Sequence, residues 1–392
     1  MKKQAGRSVF LGTLVGFASL VGLLGFAGKN RVEKDGETAP QRAEIRKERF
    51  GQTADGTPVD LFTLDNKNGM VVKITNFGAT ITSIAVPDKN RQPGDVVLGF
   101  DNLTNYLSGQ PYLGALLGRY GSFIGHGRFS IDGKAYQLAT NAGTNHLHGG
   151  KVGFDKKVWQ AQEIRSGQHI GLRMSYRSPD GEEGFPGQLD ASVTFTLNAR
   201  NELRIDYGAR TDQKTHVNLT HHNYFDLSAG QASTIRQHEV RIDADRYVVM
   251  DSKMVPTGEL RTVKNTALDF TKPTAIGARL DQLPGAYDHN FVLNRPDDGK
   301  LRLAATVWEP VSGRLLEVST TEPGLELATA NWLNGKLKGK ENRAYASQAG
   351  FLLYPQHLPD SPNQPSFPST LLEPGKVYRQ TTVYRFSVKN GK

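Results

Sequence analysis

The sequence predicts an all-β fold, a large antiparallel β-sandwich, and three features carry that prediction. Short runs alternate apolar and polar residues, the period of a half-buried strand. Turn signals recur between them: Asp55-Gly56, Asp132-Gly133, Asp180-Gly181, Asn334-Gly335 and Pro374-Gly375. Beyond the N-terminal segment no convincing helical period appears, and 42 glycines with 19 prolines fit many turns rather than long helices.

From the N-terminus, Lys2, Lys3 and Arg7 precede an uncharged, largely apolar run from Ser8 to Gly28. Basic residues ahead of such a run read as a signal peptide over residues 1–28. The run is also long enough to span a bilayer, so an N-terminal membrane anchor is the alternative. Positive charge before the segment predicts that the remainder is translocated. The protein is therefore expected to be exported, periplasmic or secreted, and to meet a membrane only through this segment if it is uncleaved. Residues 29–41 are polar and read as a linker. Residues 42–392 show no break in composition and are expected to form one domain.

Within that domain, Val71 to Ile84 reads as strand, broken at Asn76-Phe77-Gly78. Ser192 to Leu197 alternates, Asn198 to Asn201 turns, and Leu203, Ile205 and Tyr207 alternate again, which is a hairpin. Leu301, Leu303, Ala305 and Val307 form another strand, which turns at Pro310-Val311-Ser312-Gly313 and returns through Leu316 and Val318.

Net charge is +9, but the basic residues are scattered among acids. The densest stretches, Arg42 to Arg49 and Lys336 to Arg343, lack interleaved aromatics, which sets nucleic acid aside as a partner. The chain has no cysteine, so disulfides and thiol chemistry are excluded.

Four of the ten histidines lie in two short segments, Asn145-His146-Leu147-His148-Gly149-Gly150 and Asn218-Leu219-Thr220-His221-His222-Asn223-Tyr224-Phe225. Histidine titrates nearest neutrality, so these segments point to proton transfer on a small substrate. His146 and His148, two apart on a strand, would share a face and could offer two metal ligands, but no carboxylate stands beside them. His221 and His222 are adjacent, so one faces a site and the other is structural. Asn223, Tyr224, Phe225 and Asp226 are candidates to fix the ring tautomer. Tyr287-Asp288-His289-Asn290-Phe291 places a carboxylate beside another histidine. Gly118-Arg119-Tyr120-Gly121-Ser122-Phe123-Ile124 is a glycine-flanked turn whose arginine is either solvated or a donor to sugar hydroxyls. Pro179 to Gly187 reads as a turn loop without chemistry of its own.

In this order and spacing, from about Glu44 to Val388, these segments resemble the aldose 1-epimerase (galactose mutarotase) family. The resemblance implies a β-sandwich that interconverts the α and β anomers of free aldoses such as glucose and galactose, with no cofactor and no metal. It implies His222 as general acid to the ring oxygen, and His148, Asp288 and Arg119 as sugar-binding groups. The small-molecule sugar is the expected partner, and the protein is expected as monomer or homodimer. Three positions depart from the family pattern. Ser122-Phe123 stands where the family usually has Asn-Arg, and Glu326 of Pro323-Gly324-Leu325-Glu326 stands for a Gln. In Gly350-Phe351-Leu352-Leu353-Tyr354-Pro355-Gln356, Tyr354 replaces the family's base, a Glu. A phenol is mostly protonated at neutral pH and is a poor base there. Glu326 is the candidate substitute base. The expectation is a mutarotase weakened by the loss, or a noncatalytic carbohydrate-binding relative.

Overall fold

The computed structural model describes residues 42–389 apart from 168 and 297; the expected signal or anchor segment and the linker lie outside the described residues. Three antiparallel sheets dominate. The largest has nine strands, in spatial order Gln160–Ser166, His169–Ser178, Leu189–Leu197, Glu202–Thr211, Tyr378–Val388, Arg314–Thr320, Arg302–Trp308, Glu239–Ile242 and Thr274–Ala275. A six-stranded sheet runs Tyr224–Phe225, Phe351–Gln356, Gly324–Ala328, Asp288–Leu293, Ala244–Met250 and Pro256–Thr262. A five-stranded sheet takes the N-terminal strands from Glu44–Gln52 to Pro93–Asp95 in sequence order. The all-β expectation holds.

Alternation explains the layers. In the predicted hairpin, Val193, Phe195 and Leu197 and, opposite them, Leu203, Ile205 and Tyr207 are buried, while the residues between them face outward. Phe291, Leu325, Leu327, Phe351 and Leu353 of the six-stranded sheet join them in one continuous apolar cluster. This is a sandwich core: each sheet contributes every second residue. The strand around Leu303 departs from the simple pattern. Leu301 and Leu303 are 41% and 39% exposed, whereas Ala304, Ala305 and Val307 are fully buried. The pairing register slips between Leu303 and Ala305, and such a bulge moves a side chain to the other face.

The same alternation builds the floor of the site. Strands Asp288–Leu293, Gly324–Ala328 and Phe351–Gln356 lie side by side, and Asn290, Glu326 and Tyr354 stand directly opposite one another in a row. Their neighbours Phe291, Leu325, Leu327 and Leu353 point into the core. The row therefore points the other way, out of the sandwich.

Candidate active site

Over that row sit the two histidine segments. The Thr220–His221 strand pairs with Leu116–Leu117, and the backbone of His222 is fixed from both sides: its N–H donates to Ala115 and its carbonyl accepts from Gly114. Leu147 pairs with Phe123, and the chain then turns sharply at His148, Gly149 and Gly150, all with positive φ. Gly149 is required there, because a Cβ would collide with the carbonyl of Gly118.

His148, His222, Asp288, Glu326 and Tyr354 line a single cavity of about 230 Å³, with Tyr112, Tyr224, Asn290 and Trp332 and the apolar Phe123, Leu147, Met250, Met254 and Pro359 also in its lining. The His148 and His222 rings are 5.0 Å apart, and the Tyr354 ring is 5.1 Å from His222. The Ser122 N–H donates to Nδ1 of His148 at 3.0 Å, so in the neutral ring the proton sits on Nε2. Burial holds the His148 ring well below its ordinary proton affinity, and the neighbouring His222 adds to that. Burial likewise pushes His222 down to about 3, countered only by the Tyr112 carbonyl. Its Nδ1 is fully buried and makes no hydrogen bond of good geometry among the described residues.

The carboxylates behave as a pair. Glu326 is 7% exposed, and its Oε2 accepts from Asn290 at 3.1 Å and from Gln356 at 3.4 Å. Asp288 reaches solvent at the cavity although protein surrounds it closely. Burial and then the charge of Asp288 hold Glu326 well above the usual carboxylate range, and burial raises Asp288 as well. Like charges this close do not both ionise. Water reaches Asp288 more readily, so Asp288 carries the charge and Glu326 keeps the shared proton, on the oxygen its two amide donors leave free. Tyr354, buried beside this pair, is pushed far above the ordinary phenol value, first by desolvation and then by the two carboxyls. It stays a neutral phenol and cannot act as the base.

Several expectations need correction. Arg119 does not reach the cavity. It is 2% exposed, and its guanidinium donates to Ser178 Oγ and to the carbonyls of Ser178, Pro179, Pro186 and Gly187. It ties down the 179–187 loop and has no donor left for a sugar. Replacing Arg119 by Ala removes five hydrogen bonds that hold the Ser178–Gly187 segment and is expected to cost about 3 kcal/mol or more, read as a Tm several degrees lower, with sugar affinity of the folded protein unchanged. His146 and His148 do not share a face, because the left-handed turn at His148 breaks the alternation. The His146 ring packs on Phe185 at 5.2 Å and bonds the Ala139 carbonyl. The groups following His222 do not set its tautomer: the Tyr224 hydroxyl donates to Pro111, and Asp226 accepts from Ser228 and Gly230. His221 is structural as expected, held between the Tyr207 hydroxyl and the Ala79 carbonyl.

Sequence reading missed Tyr112, Asn290 and Trp332 as lining residues. Asn290 is two residues from Asp288 on a strand, so the shared face was its only signal. Nothing local marks Tyr112 or Trp332, whose loops reach the cavity through long-range contacts.

Comparison with known proteins then decides the family. The aldose 1-epimerase family profile matches residues 60–385. This chain belongs to the aldose 1-epimerase family. The chain is 44% identical over 349 residues to human galactose mutarotase, covering 88% of this chain and 99% of that protein. It is 37% identical to the aldose 1-epimerase of Escherichia coli K12, over 85% of this chain and 96% of the other. Among solved structures, the galactose 1-epimerase of Lactobacillus acidophilus superposes with a TM-score of 0.78 at 25% identity, over 89% of this chain and all of that one. For an aldose 1-epimerase, the row Asn290–Glu326–Tyr354 is the notable feature: the carboxyl stands one strand away from the position where the family resemblance places the base.

Proposed function

We propose that this protein interconverts the anomers of a free aldose, with His222 serving the ring oxygen and the Asp288–Glu326 pair serving the anomeric hydroxyl. The observation that carries this reading is the single cavity that holds the imidazole and the proton-sharing carboxyls, with a neutral phenol between them. The carboxyl pair takes the proton from O1 as the C1–O5 bond breaks, and His222 gives a proton to O5. C1 becomes an aldehyde, the C1–C2 bond rotates, and closure on the other face returns both protons. Atoms and charge balance, and no redox partner is needed. His148, with its proton on Nε2, is a donor to the same end of the ring. Positioning of acid and base around one ring is the larger part of the catalysis.

The test is exchange of freshly dissolved α-D-glucose and α-D-galactose, followed by polarimetry or NMR. Acceleration proportional to protein concentration supports the reading. Saturable sugar binding with exchange at the spontaneous rate makes the protein a noncatalytic carbohydrate-binding relative and overturns it.

We also propose that the protein works outside the cytoplasm, on the strength of the basic and apolar segment at residues 1–28. Recovery of the full chain with cytoplasmic markers on cell fractionation would count against this.

A further inference from the structure

The outer face of the nine-stranded sheet is grooved, and strand register places the groove. Ser175, Ser192 and Gly208 stand directly opposite one another on three neighbouring strands, and Arg379 continues the row on a fourth. Two short side chains and then none sink the surface along this row into a depression of about 560 Å³, which shares no lining residue with the catalytic cavity. A second hollow, of about 600 Å³, adjoins it at Ser175 and Asp190. Longer residues flank the row two positions away along each strand, on the same face. Arg173, Thr194, Asp206 and Thr381 form one bank, and Arg177, Asp190 and Arg210 the other. Neighbouring strands lie about 4.8 Å apart, so a row across four of them is about 14 Å long, longer than one pyranose.

Charge in this groove is unbalanced. Asp190 is held by Arg177 at 2.6 Å, and Asp206 by Arg204 at 2.7 Å. The Thr381 hydroxyl also donates to Asp206, at 2.6 Å. Both carboxylates are therefore matched. Arg173, Arg210 and Arg379 are exposed, and their guanidiniums make no hydrogen bond or ion pair among the described residues. Unmatched guanidiniums around a floor of serine hydroxyls complement a ligand that carries carboxylates and hydroxyls together. The strands that bear them are interior to the sheet, so their backbone groups are already paired and cannot take an added peptide strand. Recognition falls to the side chains.

We propose that this groove is a second carbohydrate site, which takes an acidic oligosaccharide. The carboxylates of a short chain of uronic acids meet Arg173, Arg210 and Arg379, and its ring hydroxyls meet Ser175 and Ser192. The groove takes no part in proton transfer, so the assignment stands whether or not the cavity exchanges anomers.

Calorimetry on the full chain tests it, with trigalacturonic acid as the probe, physiological ionic strength, and excess D-glucose to occupy the catalytic cavity. Saturable binding of one trisaccharide per protein is expected, with neutral maltotriose at least about tenfold weaker. The double variant Arg210→Ser/Arg379→Ser is expected to lose at least about tenfold in affinity for the acidic probe. Gly208→Val fills the floor without altering charge. Its Cβ meets only Ser192 Oγ, at 3.1 Å, and the Tyr378 carbonyl, at 3.9 Å. It is expected to weaken the acidic probe by a similar factor, while glucose binding stays at the parent level in both variants. Absence of saturable binding, or equal binding of maltotriose, overturns the proposal. Equal binding of triglutamate makes the face a general anion surface and overturns it too, as does unchanged affinity in either variant.

Discussion

Replacing His222 by Asn is expected to lower the rate of anomer exchange by about 10²–10⁴-fold, with sugar affinity changed only a few-fold. The asparagine amide keeps a donor near the ring oxygen but cannot hand over and recover a proton. The packing supports the contrast between rate and affinity: His222 is held among Tyr112, His148, Tyr224 and Tyr354, so its ring is placed by the scaffold and not by the sugar. NMR exchange spectroscopy at saturating sugar reads the loss in kcat, and calorimetry reads the affinity. A variant that exchanges anomers within tenfold of the parent protein rules His222 out as the acid.

Glu326→Gln is expected to lower kcat by about 10²-fold while leaving the fold as stable or more so. The substitution is nearly isosteric and keeps an acceptor for Asn290 and Gln356. It removes the proton that Glu326 shares with Asp288. Asp288 keeps the upward shift that burial imposes but loses the carboxyl O–H that stabilised its charge, so the pair can no longer pass a shared proton. Removing a carboxyl that is buried next to another carboxyl also relieves an electrostatic cost, so Tm is expected to hold or rise. Parallel measurement of exchange rate and Tm separates this from simple disruption. An undiminished rate would mean that Asp288 alone, or another group, takes the proton from O1.

Local periodicity made the sandwich legible before the structure, because each hairpin announces itself by alternation and a turn. The hairpin from Leu189 to Thr211 reads straight off the sequence. A single slipped residue between Leu303 and Ala305 was not legible, since a bulge leaves no mark in a two-residue period. The site was legible through its histidines and through Asp288 and Glu326, which all reach one cavity. Arg119 was misplaced for a physical reason: an arginine between glycines looks solvated or ligand-facing, and only the folded 179–187 loop supplies the carbonyls that absorb it. Tyr354 and Phe123 were visible as departures from the family pattern. What each does depends on cross-strand neighbours, Glu326 for one and Leu147 for the other, that are distant in sequence.

The pH dependence of kcat/KM for anomer exchange tests the carboxyl-pair mechanism most directly. The working form needs a charged imidazole at His222 and one ionised carboxyl in the Asp288–Glu326 pair. Burial moves them in opposite senses, the imidazole down to about 3 and the carboxyls up. Below the pair's first ionisation the base is neutralised, and well above the imidazole's pKa the acid is lost, so the working form is fullest between the two. The expected profile is a bell with its maximum on the acid side of neutrality, falling as pH rises through the neutral range. A rate that climbs steadily toward alkaline pH would instead assign the base to the phenolate of Tyr354 and contradict the mechanism.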